Sequence, residues 1–170
     1  VTLNLIAKGI WDEWAKAIAE NLKEKLKEWV TLLLGYNEIW VEWAEALAKM
    51  ELKEWVSLDL EGNNISVDWA EGIAKNLKFK EWMSLNLEGN DIWAEWAKAL
   101  SKLELKEWVT LNLRDNEIWD EWAKALSKME LKEWVRLDLR DNNIWAEWRH
   151  SLENWVADAK ARGINCEVLF

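Results

Sequence analysis

Leu131-Lys132-Glu133-Trp134-Val135-Arg136-Leu137-Asp138-Leu139-Arg140-Asp141-Asn142-Asn143-Ile144 is the clearest copy of a unit that recurs along the whole chain. Its anchors read L-x-x-W-x-x-L-x-L-x-x-N-x-I. The Leu-x-Leu pair returns at Leu3/Leu5, Leu32/Leu34, Leu58/Leu60, Leu85/Leu87, Leu111/Leu113 and Leu137/Leu139, at intervals of 29, 26, 27, 26 and 26 residues. Five residues after each first leucine stands Asn37, Asn63, Asn90, Asn116 or Asn142; the first copy has Lys8 instead. An isoleucine follows two positions later in all six, from Ile10 to Ile144. A fixed period of this length marks a chain built from stacked copies of one supersecondary unit.

Each unit contains two shorter periods. Alternation through Leu111-Asn112-Leu113 puts both leucines on one face of a short strand. Ile118, Trp122, Leu126 and Met129 then fall on one stripe of an amphipathic helix. One strand and one helix cannot bury their own apolar faces, so neighbouring units must stack over a continuous core. A buried asparagine in each turn would satisfy the turn's backbone and tie it to the adjoining unit.

The anchors resemble the leucine-rich repeat, with tryptophan where that family carries a further leucine. Ile118-Trp119-Asp120-Glu121-Trp122-Ala123-Lys124-Ala125-Leu126 is similar to the I-G-D-E-G-A-x-A-L of the ribonuclease-inhibitor class, with tryptophan at both glycines. The resemblance spans essentially the whole chain. It implies an α/β horseshoe segment of six strand–helix repeats in one domain, residues 1–170, with parallel strands on the concave side and helices on the convex side. Strands are expected near residues 2–6, 30–34, 56–60, 83–87, 109–113 and 135–139, with a terminal strand near 164–169. The fold implies no single function, because this class serves many binding roles.

Seventeen of the 170 residues are tryptophan, and sixteen fall into three sets. Trp29, Trp55, Trp82, Trp108 and Trp134 lead into the strands, three residues before the first leucine. They are expected in the core, where one fully buried indole contributes at most about 4–6 kcal/mol. Trp14, Trp43, Trp69, Trp96, Trp122 and Trp148 begin the helices, four residues before an inward Leu or Ile. Indoles at close-packed glycine positions overpack an unchanged frame, at about 1–3 kcal/mol each. Either the helix layer moves outward or these rings turn to solvent. Trp11, Trp40, Trp93, Trp119 and Trp145 precede the helices, where unit three has Ser66. Tryptophan caps a helix poorly, so these five are expected to form an exposed stripe. Trp155, the seventeenth, continues the inward stripe of the last helix. One costly residue in the same slots of nearly every unit points to a designed sequence.

The remaining composition excludes more than it identifies. A net charge of −10 argues against a nucleic-acid partner. No apolar run long enough to span a membrane is present, and no basic-then-apolar leader is visible. A single cysteine, Cys166, suits a reducing, cytoplasmic-type compartment or a synthetic sequence with no native location. Carboxylates such as Asp120 and Glu147 sit in first helical turns and complement the helix dipole. The lone histidine, His150, belongs to an exposed helix surface. No pattern of residues asks for a metal, a cofactor or catalysis, so the expected reading is a non-enzymatic protein.

Where a partner would bind is set by the strand residues that alternate with the leucines. On the expected concave face these include Asp59, Glu61, Asn86, Glu88, Asn112, Arg114, Arg136, Asp138 and Arg140, acidic in the middle and basic toward the C-terminal units. Three functional classes stay open. The first is an engineered scaffold built around tryptophan packing. The second is an interaction module that grips a protein partner on the concave face. The third is self-assembly or flat-ligand capture by an exposed tryptophan stripe.

Overall fold

The computed structural model describes residues 1–22, 30–39, 56–65, 80–92 and 104–170. Seven short strands form one sheet: β1 (Thr2–Asn4), β2 (Val30–Leu33), β3 (Val56–Asp59), β4 (Ser84–Asn86), β5 (Thr110–Asn112), β6 (Arg136–Asp138) and β7 (Glu167–Leu169). They stack in sequence order and every pairing is parallel. The register joins Leu3, Leu32, Leu58, Leu85, Leu111, Leu137 and Val168 in one row across the sheet. The chain is therefore a parallel-strand solenoid. Three helices occur among the described residues: α1 (Asp12–Leu22), α2 (Asp120–Leu126) and α3 (Ala146–Ala161). Trp29, Trp40, Trp43, Trp55, Trp69, Trp93 and Trp96 lie outside the described residues.

Each strand ends quickly because its turn needs a left-handed residue. Ala7, Tyr36, Gly62, Gly89, Asp115 and Asp141, each four residues after a first leucine, have φ between 51° and 62°. All but Asp141 nevertheless extend the interstrand ladder through their N–H groups, as Tyr36 donates to the Glu61 carbonyl at 2.7 Å and Asp115 to that of Arg140 at 3.1 Å. At Gly62 an added Cβ would stand 2.7 Å from the Tyr36 ring, so this glycine is required by space as well as by φ.

In every unit but the first, the asparagine after the left-handed residue locks the turn. Asn116 Nδ2 donates to its own unit's Leu113 and Arg114 carbonyls at 3.1 and 2.9 Å and to the preceding unit's Leu87 carbonyl at 3.0 Å. Its Oδ1 accepts from the preceding unit's Ile92 N–H at 3.3 Å. Asn37, Asn63, Asn90 and Asn142 repeat the pattern toward Leu5, Leu34, Leu60 and Leu113. One side chain thus satisfies backbone groups that its burial would otherwise leave unpaired. The tie runs to the preceding unit, and Asn37 extends it by taking two N–H groups, of Lys8 and Ile10.

Behind the sheet lies a continuous core in which Leu34, Leu60, Leu87, Leu113 and the isoleucines Ile39, Ile65, Ile92 and Ile118 are fully buried. Helix α3 closes its C-terminal end with Leu152, Trp155, Val156 and Ala159. The Trp155 indole donates to the Met129 carbonyl at 3.0 Å, which removes the desolvation cost of its N–H and places it in the core as expected. Past Ala161 the chain turns at Gly163 (φ 85°), with Ile164 N–H bonded to the Ala159 carbonyl and Gly163 N–H to that of Lys160. These two bonds make a Schellman motif and send the chain directly into β7.

Replacing Asn116 by alanine removes four hydrogen bonds and leaves the buried Ile92 N–H without its acceptor, while the Leu87, Leu113 and Arg114 carbonyls keep Asn90, Asn142 and Gly89 as donors. It is expected to lower unfolding free energy by about 2–3 kcal/mol in urea titrations. Asn142 is half-buried at the end of the series. Water can serve its partners there, so Asn142→Ala should cost only about 1 kcal/mol.

Candidate functional site

Inward residues of each strand alternate as Val135, Leu137 and Leu139, or Val109, Leu111 and Leu113, and all are buried. The first core position of each strand is therefore the residue after the tryptophan: Val30, Val56, Met83, Val109 or Val135. The tryptophan itself does not enter the core. This corrects the expectation for Trp82, Trp108 and Trp134. Trp82 is 36% exposed, Trp134 is 50% exposed, and Trp108 between them is partly covered.

Backbone conformation is the reason. Trp82, Trp108 and Trp134 have φ of 64°, 62° and 59°. Their N–H groups are fixed by bonds to the carbonyls of Glu107, Glu133 and Asn165. A left-handed residue turns its Cα–Cβ bond out of the direction the pleat would give it, and the indoles leave the core together. Equivalent positions on adjacent strands recur every ~4.8 Å, close to the separation at which aromatic rings stack. Trp82 and Trp108 accordingly stack with centroids 4.2 Å apart and planes 9° apart. Trp108 and Trp134 follow at 5.0 Å and 15°. A left-handed non-glycine residue costs about 1–2 kcal/mol, whereas each stacked pair contributes about 0.5–1.5 kcal/mol. Strain at three residues outweighs stacking in two pairs.

A cleft of about 870 Å³ runs beside this ladder into the terminal turn, where Lys160, Gly163, Ile164 and Cys166 line it. Burial pushes the Cys166 thiol above its ordinary value; Lys160 opposes the shift and Glu133 reinforces it. The thiolate is thereby disfavoured at neutral pH, which suits a packing residue rather than a nucleophile.

On the helix side the same slot has two outcomes. Trp14 turns to solvent at 70% exposure. Trp148 is half-buried and packs on the core, with Lys124 Nζ 5.9 Å from its ring centroid. Among the tryptophans that precede helices, Trp11, Trp119 and Trp145 are exposed. Trp145 caps α3 with no side-chain hydrogen bond, although its N–H donates to Asp120 Oδ1 at 3.1 Å. His150 is exposed on α3, with Nδ1 3.5 Å from Glu153.

The open sheet face carries the other candidate residues. Asp59, Asn86, Asn112 and Asp138 each accept, through Oδ1, the N–H two residues ahead, at 3.1–3.2 Å. Such Asx turns close the strand locally. Further bonds run from unit to unit: Asn86 to Asp59 and Glu61, Asn112 to Glu88, and the Tyr36 hydroxyl to Glu61. The bond to Glu61 holds the Tyr36 phenol above its ordinary pKa. The arginines are engaged as well. Arg140 grips Asp138 through two nitrogens at 2.5–3.2 Å, Arg114 meets Asp141 at 2.6 Å and Glu88 at 3.7 Å, and Arg136 meets Glu167 at 3.0 Å. Burial opposes ionisation of Asp138, but the hydrogen bonds and charge of Arg140 prevail and hold its carboxyl below the usual range.

Among the described residues no three His, Cys, Asp or Glu side chains converge as a metal site, and no helix is long and apolar enough to cross a membrane. No protein-family model matches the chain, and no curated protein matches it.

Two outcomes follow. Trp108→Ala keeps the strained backbone and loses both stacks, so it should destabilise by about 1–2 kcal/mol, more than the terminal Trp134→Ala, in matched urea titrations. The Asp138–Arg140 pair contributes fully above the unfolded carboxylate pKa of about 3.9. That contribution is lost as pH falls through the lower folded value. Asp138→Asn retains the turn acceptor, so it should cost about 1 kcal/mol at neutral pH and little at pH ~2.

Proposed function

We propose that the chain is an engineered leucine-rich repeat scaffold of the ribonuclease-inhibitor type, with one helix in each of six units and no enzymatic activity. At Trp82, Trp108 and Trp134 tryptophan occupies slots whose backbone suits glycine. The observation that carries this reading is the left-handed conformation of Trp82, Trp108 and Trp134. A bulky aromatic residue is among the least suited to such a φ, and glycine adopts it at no steric cost. The other two tryptophan sets coincide with the two glycines of the family pattern. Those two sets reduce to one rule, glycine exchanged for tryptophan in nearly every unit, while the strand-leading set stands where the family carries a leucine.

A protein-binding role for the open sheet face has less support. Arg114, Arg136 and Arg140 are already paired with carboxylates of their own chain. A partner would have to break those pairs or bind over them.

The test is the combined change of Trp82, Trp108 and Trp134 to glycine, followed by urea denaturation and circular dichroism. Relief of strain should exceed the loss of stacking, giving a net gain of about 1–2 kcal/mol with an unchanged folded spectrum. A variant that unfolds, or loses stability, would show that these rings serve the fold and would contradict the reading of these three positions as slots suited to glycine.

A further inference from the structure

We infer that the tryptophan ladder and the turn after α3 form a binding cleft for planar aromatic anions. This goes beyond the scaffold reading and does not depend on it. The ladder stops for a reason visible in the backbone. Trp82 and Trp108 donate their N–H groups to the residue just before the next indole, Glu107 before Trp108 and Glu133 before Trp134. Trp134 donates to Asn165, so the place of a fourth ring falls to Cys166. Among the described residues no indole stacks on the far side of Trp134, and it is the most exposed of the three rings. The cleft there, at about 870 Å³, has the size of a small-molecule site.

Charge selects the ligand. Arg136 lines the cleft but is neutralised by Glu167 at 3.0 Å. Lys160 also lines it and makes no ion pair with any described residue. Among the lining residues the uncompensated charge is therefore positive, with the Glu133 carboxylate beside them on the Asn165 N–H at 3.1 Å and −10 on the chain as a whole. A flat ring can lie against Trp134 as the next member of the stack, while a sulfonate or carboxylate on its rim meets the Lys160 ammonium.

Titration of the full chain with anilinonaphthalene sulfonate, read by dye fluorescence, tests this. Binding should weaken about tenfold in Trp134→Gly, as for loss of one stacking partner. It should weaken about threefold in Lys160→Gln and remain unchanged in Trp145→Gly, which removes an exposed indole elsewhere. The cationic planar dye acridine orange should bind at least about threefold more weakly than the sulfonate. Because Lys160→Gln is a surface change on α3, it keeps the test decisive should a tryptophan variant misfold. Equal losses in Trp134→Gly and Trp145→Gly would overturn the proposal. So would indifference to Lys160→Gln.

Discussion

The asparagine amide in the turn of every unit after the first, buried in all but the last, is the interaction on which the rest of the structure rests. It bonds the carbonyls of its own turn and reaches the preceding unit's leucine carbonyl and isoleucine N–H, as Asn90 does with Leu60 and Ile65. Parallel strands of three or four residues offer few ladder bonds of their own. The amide adds bonds between units where the strand has already ended, and it fixes the turn so that the next residues leave the sheet in the same direction each time. The left-handed residue before it is part of the same device. Without that sharp reversal, the amide could not face the backbone it serves.

The tryptophans answer to this frame and do not shape it. Where the backbone is left-handed, at Trp82, Trp108 and Trp134, the indole is carried out of the core whatever its hydrophobicity. The strand spacing then aligns successive rings within stacking distance. Where the helix has just begun, the ring goes to the side with room: to solvent at Trp14, and against the core at Trp148 beneath Lys124. Trp155, on an ordinary helical stripe with a carbonyl for its N–H, fills the core in the conventional way.

The parallel stack was legible in the chain because Leu-x-Leu alternation and the asparagine period are local patterns that tertiary context has little power to override. The burial of Trp155 was legible for the same reason. The direction of the strand-leading tryptophans was misread because size and hydrophobicity were weighed ahead of phase. Val135, Leu137 and Leu139 share one parity, and Trp134 has the other, so alternation alone would have placed it off the core face. Its positive φ left no such trace, since nothing about a tryptophan codes for a left-handed backbone. The roles of Asp59, Asn86, Asn112 and Asp138 as turn closers could have been read from their side-chain chemistry. Their pairing with Glu61, Glu88 and Arg140 across units could not, because it depends on register.

Fluorine NMR of the chain labelled with fluorotryptophan, with resonances assigned by single substitutions, tests the central claim most directly. Solvent exchange from light to heavy water should shift the Trp134 and Trp82 resonances and leave that of Trp155 in place. Trp108, covered on both faces by its neighbours, should respond between them. A Trp134 resonance as insensitive to solvent as that of Trp155 would put the strand-leading indoles back in the core and contradict the account.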